Sequence, residues 1–238
     1  MLTVEALNAG YGKFKVLFDV DFTAKDKEIT VVVGPNGSGK TTLLKGIFGL
    51  ITIYSGDVML DGKELTGLPP HEIAKKGIAY LPQTDDVFAN LTLDENLVMA
   101  GYTLTENEFK DRSNDVLEIF PVLKSFTSRK AGTLSGGERR LLAMAMALLR
   151  KPKVMMFDEP TSNLSPKIAM QVFDNIAKLR DSLGVTIILV EQIAKKALEI
   201  GDRAFLMVGG KPIFEGKCSE LLGHPELSKL YLGIKKDV

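Results

Sequence analysis

Short apolar runs that alternate with helical patterns predict an α/β fold with a mostly parallel sheet and helices on both faces. Three observations carry that expectation. "EITVVVG" (28–34), "KVMMFDE" (153–159) and "VTIILVEQ" (185–192) read as buried strands, rich in β-branched residues or uniformly apolar. "TTLLKGIFGL" (41–50) and "SPKIAMQVFDNIAKLRDSLG" (165–184) carry helical periodicity, the second amphipathic and stopped by Gly184. No internal repeat and no low-complexity linker divides the chain, so residues 1–238 are expected to form one domain.

Taken in order, the first buried strand ends in Gly34 and leads into the helix from Thr41. "SGDVMLDGKEL" (55–65) is a hairpin or bent strand with an Asp-Gly turn signal. "GIAYLPQ" (77–83) is a further strand. Residues 92–149 are mostly helical, interrupted at Pro121 and at "AGTLSGGE", and are expected to form a helical subdomain, about 88–150, inserted in the sheet. "KVMMFDE", the amphipathic helix, "VTIILVEQ" and "RAFLMVGGKPIFEG" complete the pattern. Met144, Met146, Met155, Met156 and Met170 read as core filler rather than metal ligands.

Composition narrows the function classes. Thirty basic and thirty acidic residues cancel, which gives no footprint for nucleic acid or an anionic lipid surface. The single Cys218 cannot form an internal disulfide, so a reducing compartment is expected. No apolar run approaches the roughly 20 residues of a membrane span, and "MLTVEALNAGYGKF" has no signal-peptide pattern. A cytoplasmic location follows as the expectation.

The first chemical motif is "GPNGSGKTT" (34–42), which matches G-x-x-x-x-G-K-[ST] between a strand and a helix. Its glycines let successive N–H groups turn inward, and with the helix start they can cradle phosphate oxygens. Asn36, Gly37, Ser38, Gly39, Lys40, Thr41 and Thr42 are the candidate nucleotide-binding residues. Lys40 places a charge on the β- and γ-phosphates, and the Thr41 hydroxyl is a ligand for Mg²⁺. The second motif, "VMMFDEPT" (154–161), runs a buried strand into two acids at the end that faces a ligand crevice in a parallel sheet. Asp158 there reaches the Mg²⁺ hydration shell, and Glu159 faces the γ-phosphate and can polarise water. A solvated strand end is the bland alternative, but it would avoid setting two like charges side by side. The third motif, "LSGGE" (134–138), opens a helix that Ser135 can cap, with Gly136 and Gly137 exposing N–H groups at its positive end. It is a second anion site, for which a simple kinase or GTPase has no use.

Together these motifs resemble the ATP-binding-cassette (ABC) ATPases along nearly the whole chain. The resemblance implies a P-loop NTPase of ABC type: a mostly parallel core sheet, an N-terminal antiparallel β region and the inserted helical subdomain. It implies that Tyr11 stacks on adenine and that Gln83, after "AYLP", is the Q-loop glutamine touching Mg²⁺ and water. "SNLS" (162–165) falls at the D-loop, and Gln192 at the switch position where the family usually has histidine. His71 and His224 lie elsewhere and read as surface or loop residues. Glu191, beside Gln192, is expected to point the other way and support the loop.

The resemblance also implies a shared site. ATP is held by Tyr11 and the phosphate loop of one chain and by Ser135, Gly136 and Gly137 of another, as a homodimer or heterodimer. Mg²⁺ takes Thr41, Gln83 and, through water, Asp158; Glu159, Gln192 and Lys40 are the catalytic candidates. Motion is expected to reach separate membrane permease subunits through a groove near residues 83–90, with the chain peripheral on the inner face of the membrane.

"YGKFKVLFDVDF", "LTLDENLVMAG", "IFPVL", "AGTLSGGE", "LSP" and "GHPELSKLYLG" resemble the smaller ATPase of branched-chain amino-acid uptake systems, which implies an extracytoplasmic substrate-binding protein. Three details depart from that branch. Asn163 stands where glycine is favoured, Gln83 where many members carry glutamate, and "GERR" replaces a Gln-rich start of the signature helix. A transporter of another cargo (urea, short amides or an exported lipid) shares the same motifs. A soluble ABC ATPase acting on DNA or ribosomes usually has a long coiled coil between the positions of Gln83 and Ser135, which here lie only about fifty residues apart.

Overall fold

Two sheets and a set of helices build the chain, and the computed structural model describes residues 1–84 and 87–232. Asp85 and Asp86 of "LPQTDDVF", in the expected groove, and Gly233 at the end of "GHPELSKLYLG" lie outside the described residues. The first sheet is antiparallel: β1 (Leu2–Tyr11), β2 (Phe14–Ala24), β4 (Thr52–Leu60) and β5 (Lys63–Glu64), in the order β2-β1-β4-β5. The second contains β3 (Ile29–Val33), β6 (Ile78–Leu81), β7 (Val154–Asp158), β8 (Thr186–Val190), β9 (Arg203–Val208) and β10 (Lys211–Lys217). Its order is β10-β9-β3-β8-β7-β6, parallel throughout except for the β9–β10 hairpin.

The uniformly apolar runs have a direct cause. Successive side chains of a strand point to opposite faces, and here both faces are covered. Val31, Val33, Met155, Phe157, Ile187 and Leu189 join one core, shared with the helices of the middle segment. Val32, Val154, Met156, Ile188 and Val190 join the other, between the second sheet, the first sheet and α1 (Lys40–Ile47). Phe22 of the first sheet meets Phe205 of the second edge-to-face at 5.0 Å, fixing the two sheets against each other.

Between β6 and β7 lie α3 (Leu93–Ala100), α4 (Glu106–Ile119) and α5 (Gly136–Leu148), after the short α2 (Pro70–Lys75) that precedes β6. Each of the three starts with a reciprocal cap: Thr92 with Glu95, Thr105 with Glu108, Ser135 with Glu138. Pro121 starts a short 3-10 turn, Pro121–Phe126, which is where the sequence breaks its helical pattern. The amphipathic α6 (Pro166–Leu183) has Pro at its first position and the left-handed Gly184 after its last. It buries Ala169, Val172, Phe173, Ile176 and Leu179. Met170 falls off that stripe and is 41% exposed, so it is not core filler. Met144, Met155 and Met156 are fully buried, and Met146 packs at the core edge. The chain continues through α7 (Ala194–Ile200) and ends in α8 (Cys218–Gly223) and α9 (Pro225–Leu232).

Candidate nucleotide site

The second sheet brings four loops to one edge, the C-terminal ends of β3, β8, β7 and β6. That is where parallel α/β sheets bind ligands. The loop after β3 curls because its glycines allow it: Gly34 has φ 149°, and a Cβ there would lie 2.1 Å from the Met207 carbonyl oxygen. Only glycine passes that point. The loop delivers its amides to the start of α1, with Asn36 and Gly37 exposed and Ser38, Gly39 and Lys40 buried.

Inside the loop, Lys40 Nζ donates to the carbonyl oxygens of Gly34 and Pro35, each at 3.0 Å. Burial lowers its pKa, and the charges of Glu159 and Asp158 act against that shift. The buried Ser38 Oγ has no hydrogen-bond partner. A glycine-bent loop at a helix start, a partly desolvated ammonium and an unpaired hydroxyl fit a phosphate chain. Thr41 Oγ1 donates to Asp158 Oδ1 at 2.8 Å, so a hydroxyl and a carboxylate meet where a small hard cation needs oxygen ligands. Among the described residues, no cluster of three or more His, Cys, Asp or Glu forms a metal site on its own. The Thr41 hydroxyl and Asp158 carboxylate suit Mg²⁺, which keeps waters and phosphate oxygens around it and takes few ligands from the protein.

Strand parity explains the aim of Asp158. It continues the face of Val154 and Met156, which is the face that α1 covers. Tyr80 lies on the same face of the neighbouring strand, and its hydroxyl donates to Asp158 Oδ2 at 2.9 Å. Burial, followed by the Asp158 charge, raises the Tyr80 pKa, so it stays a donor.

One residue on, Glu159 takes φ +49°, a left-handed conformation that turns its side chain out of the strand. Two amides hold its carboxylate. Gln192 Nε2 lies 2.9 and 2.8 Å from its two oxygens, and Gln83 Nε2 donates to Oε2 at 2.9 Å. Glu191 is turned elsewhere: it accepts from the Thr161 amide at 3.0 Å and the Thr161 hydroxyl at 2.7 Å, deep in the protein. It thereby braces the loop after Glu159. The charged and polar pair at the end of β8 is thus one brace for Thr161 and one holder of Glu159.

Tyr11 ends β1, 44% exposed, with Lys45 Nζ 5.9 Å from its ring centre. Thr42 is buried in the first turn of α1. Ser135, Gly136 and Gly137 start α5, and no hydrogen bond joins them to the phosphate loop among the described residues. Gly136 and Gly137 have a packing reason as well: a Cβ would come within 2.7 Å of Leu164 and 2.6 Å of Ile168. His71 and His224 are exposed, and burial pushes the Cys218 thiol up to about 12.

Sequence reasoning did not find Tyr80, Thr161 or Arg140, whose guanidinium donates to the Pro82 oxygen at 3.2 Å and to the Gln83 oxygen. Only "GERR" gave a signal, as a departure from the Gln-rich helix start.

Comparison with known proteins follows the same lines. Residues 17–162 match the family model described as "ABC transporter". The chain is 59% identical to the "Probable branched-chain amino acid transport ATP-binding protein LivF" of Archaeoglobus fulgidus, over 98% of this chain and 99% of that one. It is 40% identical to the high-affinity branched-chain amino acid transport ATP-binding protein BraG of Pseudomonas aeruginosa, over 98% and 100%. Among solved structures, the ADP conformation of the cassette MJ1267 has a TM-score of 0.87 at 28% identity, covering 96% of this chain and 97% of that one. A dimeric bacterial cassette, MJ0796, has a TM-score of 0.79 at 25% identity, covering 92% and 99%. The fold agrees with these matches: the chain belongs to the ABC transporter family, as an ATP-binding, ATP-hydrolysing cassette.

Proposed function

We propose that this ATPase powers the import of branched-chain or other hydrophobic amino acids. The observation that carries the cargo is the 59% identity to LivF over nearly the full length. Identity falls to 32% for the lipopolysaccharide export ATPase LptB of Haemophilus influenzae. The partners of this reading are a second cassette, separate membrane permease subunits and an extracytoplasmic binding protein. Among the described residues no helix is long and apolar enough to cross a membrane. The helices between β6 and β7 act as a subdomain of one cassette domain, and exposed Phe88, Met99 and Tyr102 at its edge offer the permeases an apolar footing.

In this reading each site residue has a role. Tyr11 supports the adenine, and Asn36 to Thr42 wrap the phosphates. Lys40 exchanges its two backbone carbonyls for phosphate oxygens. Thr41, Gln83 and, through water, Asp158 would hold Mg²⁺, which would neutralise phosphate charge there. Glu159 orients and polarises the attacking water. Gln192 holds Glu159 and presents an N–H to the γ-phosphate. Ser135, Gly136 and Gly137 complete the site of a second copy. Phosphoryl transfer needs positioning and electrostatics above all, and this chain supplies both.

Glu159→Gln tests the reading. The variant is expected to bind ATP, hydrolyse it at least about 100-fold more slowly and run as a dimer on gel filtration with ATP and Mg²⁺. Wild-type turnover by this variant would remove Glu159 from the chemistry. For the cargo, leucine, isoleucine and valine uptake is measured in cells with and without the chain.

A further inference from the structure

We propose that Arg140 is a positioning residue for hydrolysis, a side-chain strap that ties the signature helix to the Q-loop and through it sets Glu159. The proposal rests on the ATPase reading above and deepens it. β6 ends at Leu81, beside Phe157 of β7, so Pro82 and Gln83 leave the sheet next to the acid pair. Nothing in that exit is a regular element: Gln83 is exposed and its backbone lies beyond the last strand pair. Its carbonyl and that of Pro82 are both taken by Arg140, five residues past the Ser135 cap on α5. Two N–H groups from the two ends of one guanidinium grip two successive carbonyls, a geometry that needs the planar fork of arginine. With the backbone gripped, the Gln83 amide reaches Glu159 Oε2 at 2.9 Å and Ser162 Oγ at 3.3 Å.

The other side of the helix start is fixed too. Gly136 and Gly137 sit directly on Leu164 and Ile168, beyond the loop that carries Glu159. A polar cavity of about 330 Å³ lies between these contacts, lined by Gln83, Gly136, Arg139, Arg140, Ser162 and Asn163. The helix start that meets a second chain's nucleotide is therefore one side chain away from the backbone that aims the Gln83 amide. A glutamine at position 140 would offer N–H groups from a single nitrogen and could not span the two carbonyls in this way.

The test is a double-mutant cycle on steady-state ATPase activity, with thermal midpoints measured alongside. Arg140→Ala is expected to lower kcat about 10- to 100-fold, the scale of a misplaced catalytic group, and to leave KM for ATP within about threefold. Arg140→Lys should recover part of kcat, since its ammonium can still donate to a carbonyl. Made on a Gln83→Ala background, Arg140→Ala should cost less than about twofold more, because the group it positions is gone. Independent, multiplicative losses would overturn the strap, as would unchanged kcat in Arg140→Ala. If the alanine variant does not fold, Arg140→Gln replaces it in the same cycle, and the same non-additivity is required. Wild-type turnover and the ATP-dependent Glu159→Gln dimer are run in parallel. Their failure counts against the ATPase reading, whereas their success with an additive cycle counts against the strap alone.

Discussion

Removing the carboxylate of Glu191 should unlatch the loop that follows Glu159. In Glu191→Ala the amide and hydroxyl of Thr161 lose the acceptor they share at 3.0 and 2.7 Å, and the Gln192 amide loses its own at 3.1 Å. Both Thr161 groups sit in a residue only 2% exposed, so water cannot replace the lost partner without opening the loop. Each unsatisfied buried donor costs about 1–3 kcal/mol, or about 2–6 for the pair. Part is returned, because burial holds the Glu191 carboxyl above its ordinary pKa and the charge it carries is itself costly to bury. The net expectation is a loss of about 2–4 kcal/mol. Urea unfolding reads it as a lower midpoint at unchanged m.

The same residue predicts a pH dependence. A carboxyl whose pKa is higher in the folded than in the unfolded state leaves the folded protein holding more protons between the two values. Its contribution to stability is then greatest in acid and is lost as pH rises through the folded pKa. Glu191→Gln keeps an acceptor for Thr161 and removes the titration, so it should gain on the parent as pH rises above the ordinary carboxylate range. An alanine variant within about 0.5 kcal/mol of the parent would refute the latch. A glutamine variant whose relative stability ignores pH would refute the buried-charge part.

Two further perturbations probe the site. Gln192→Ala should slow hydrolysis, since Glu159 loses the amide that spans its two oxygens; Gln192→His should retain activity but add a pH dependence that the parent lacks, with an ionisation above about 6.5 because Glu159 favours the imidazolium. A flat rate–pH profile for the histidine variant, or parental turnover for the alanine one, would count against this role. Ser135→Arg should leave calorimetric ATP binding intact and abolish turnover, while Lys40→Ala loses nucleotide affinity; mixing the two inactive variants should restore some activity, and no recovery would speak against a site shared between chains.

The sequence was most legible where local pattern and chemistry coincide. The phosphate loop, the Asp158–Glu159 pair and the capped signature helix each declare themselves within ten residues. Met170 could also have been placed, because it breaks the 3.6-residue stripe of Ala169, Val172, Phe173 and Ile176. Other features were not readable. That Tyr80 meets Asp158 depends on the parallel register Tyr80↔Met156 across two strands. That Glu191 braces Thr161, and Arg140 the Q-loop, depends on packing between segments 30 and 57 residues apart. Side-chain aim at such separations is decided by the fold as a whole.

Strand parity in the second sheet has a wider consequence. The two cores are filled by odd and even residues of the same strands, Met155 and Phe157 on one side, Val154 and Met156 on the other. A slip of β7 by one residue would exchange the contents of both cores at once. It would also swing Asp158 away from Thr41 and α1. A one-residue slip can therefore not keep the core while misplacing the acid, or keep the acid while misplacing the core. Against that slip the apolar interior acts as a checksum: the strand face that fills the core correctly also aims Asp158 at Thr41.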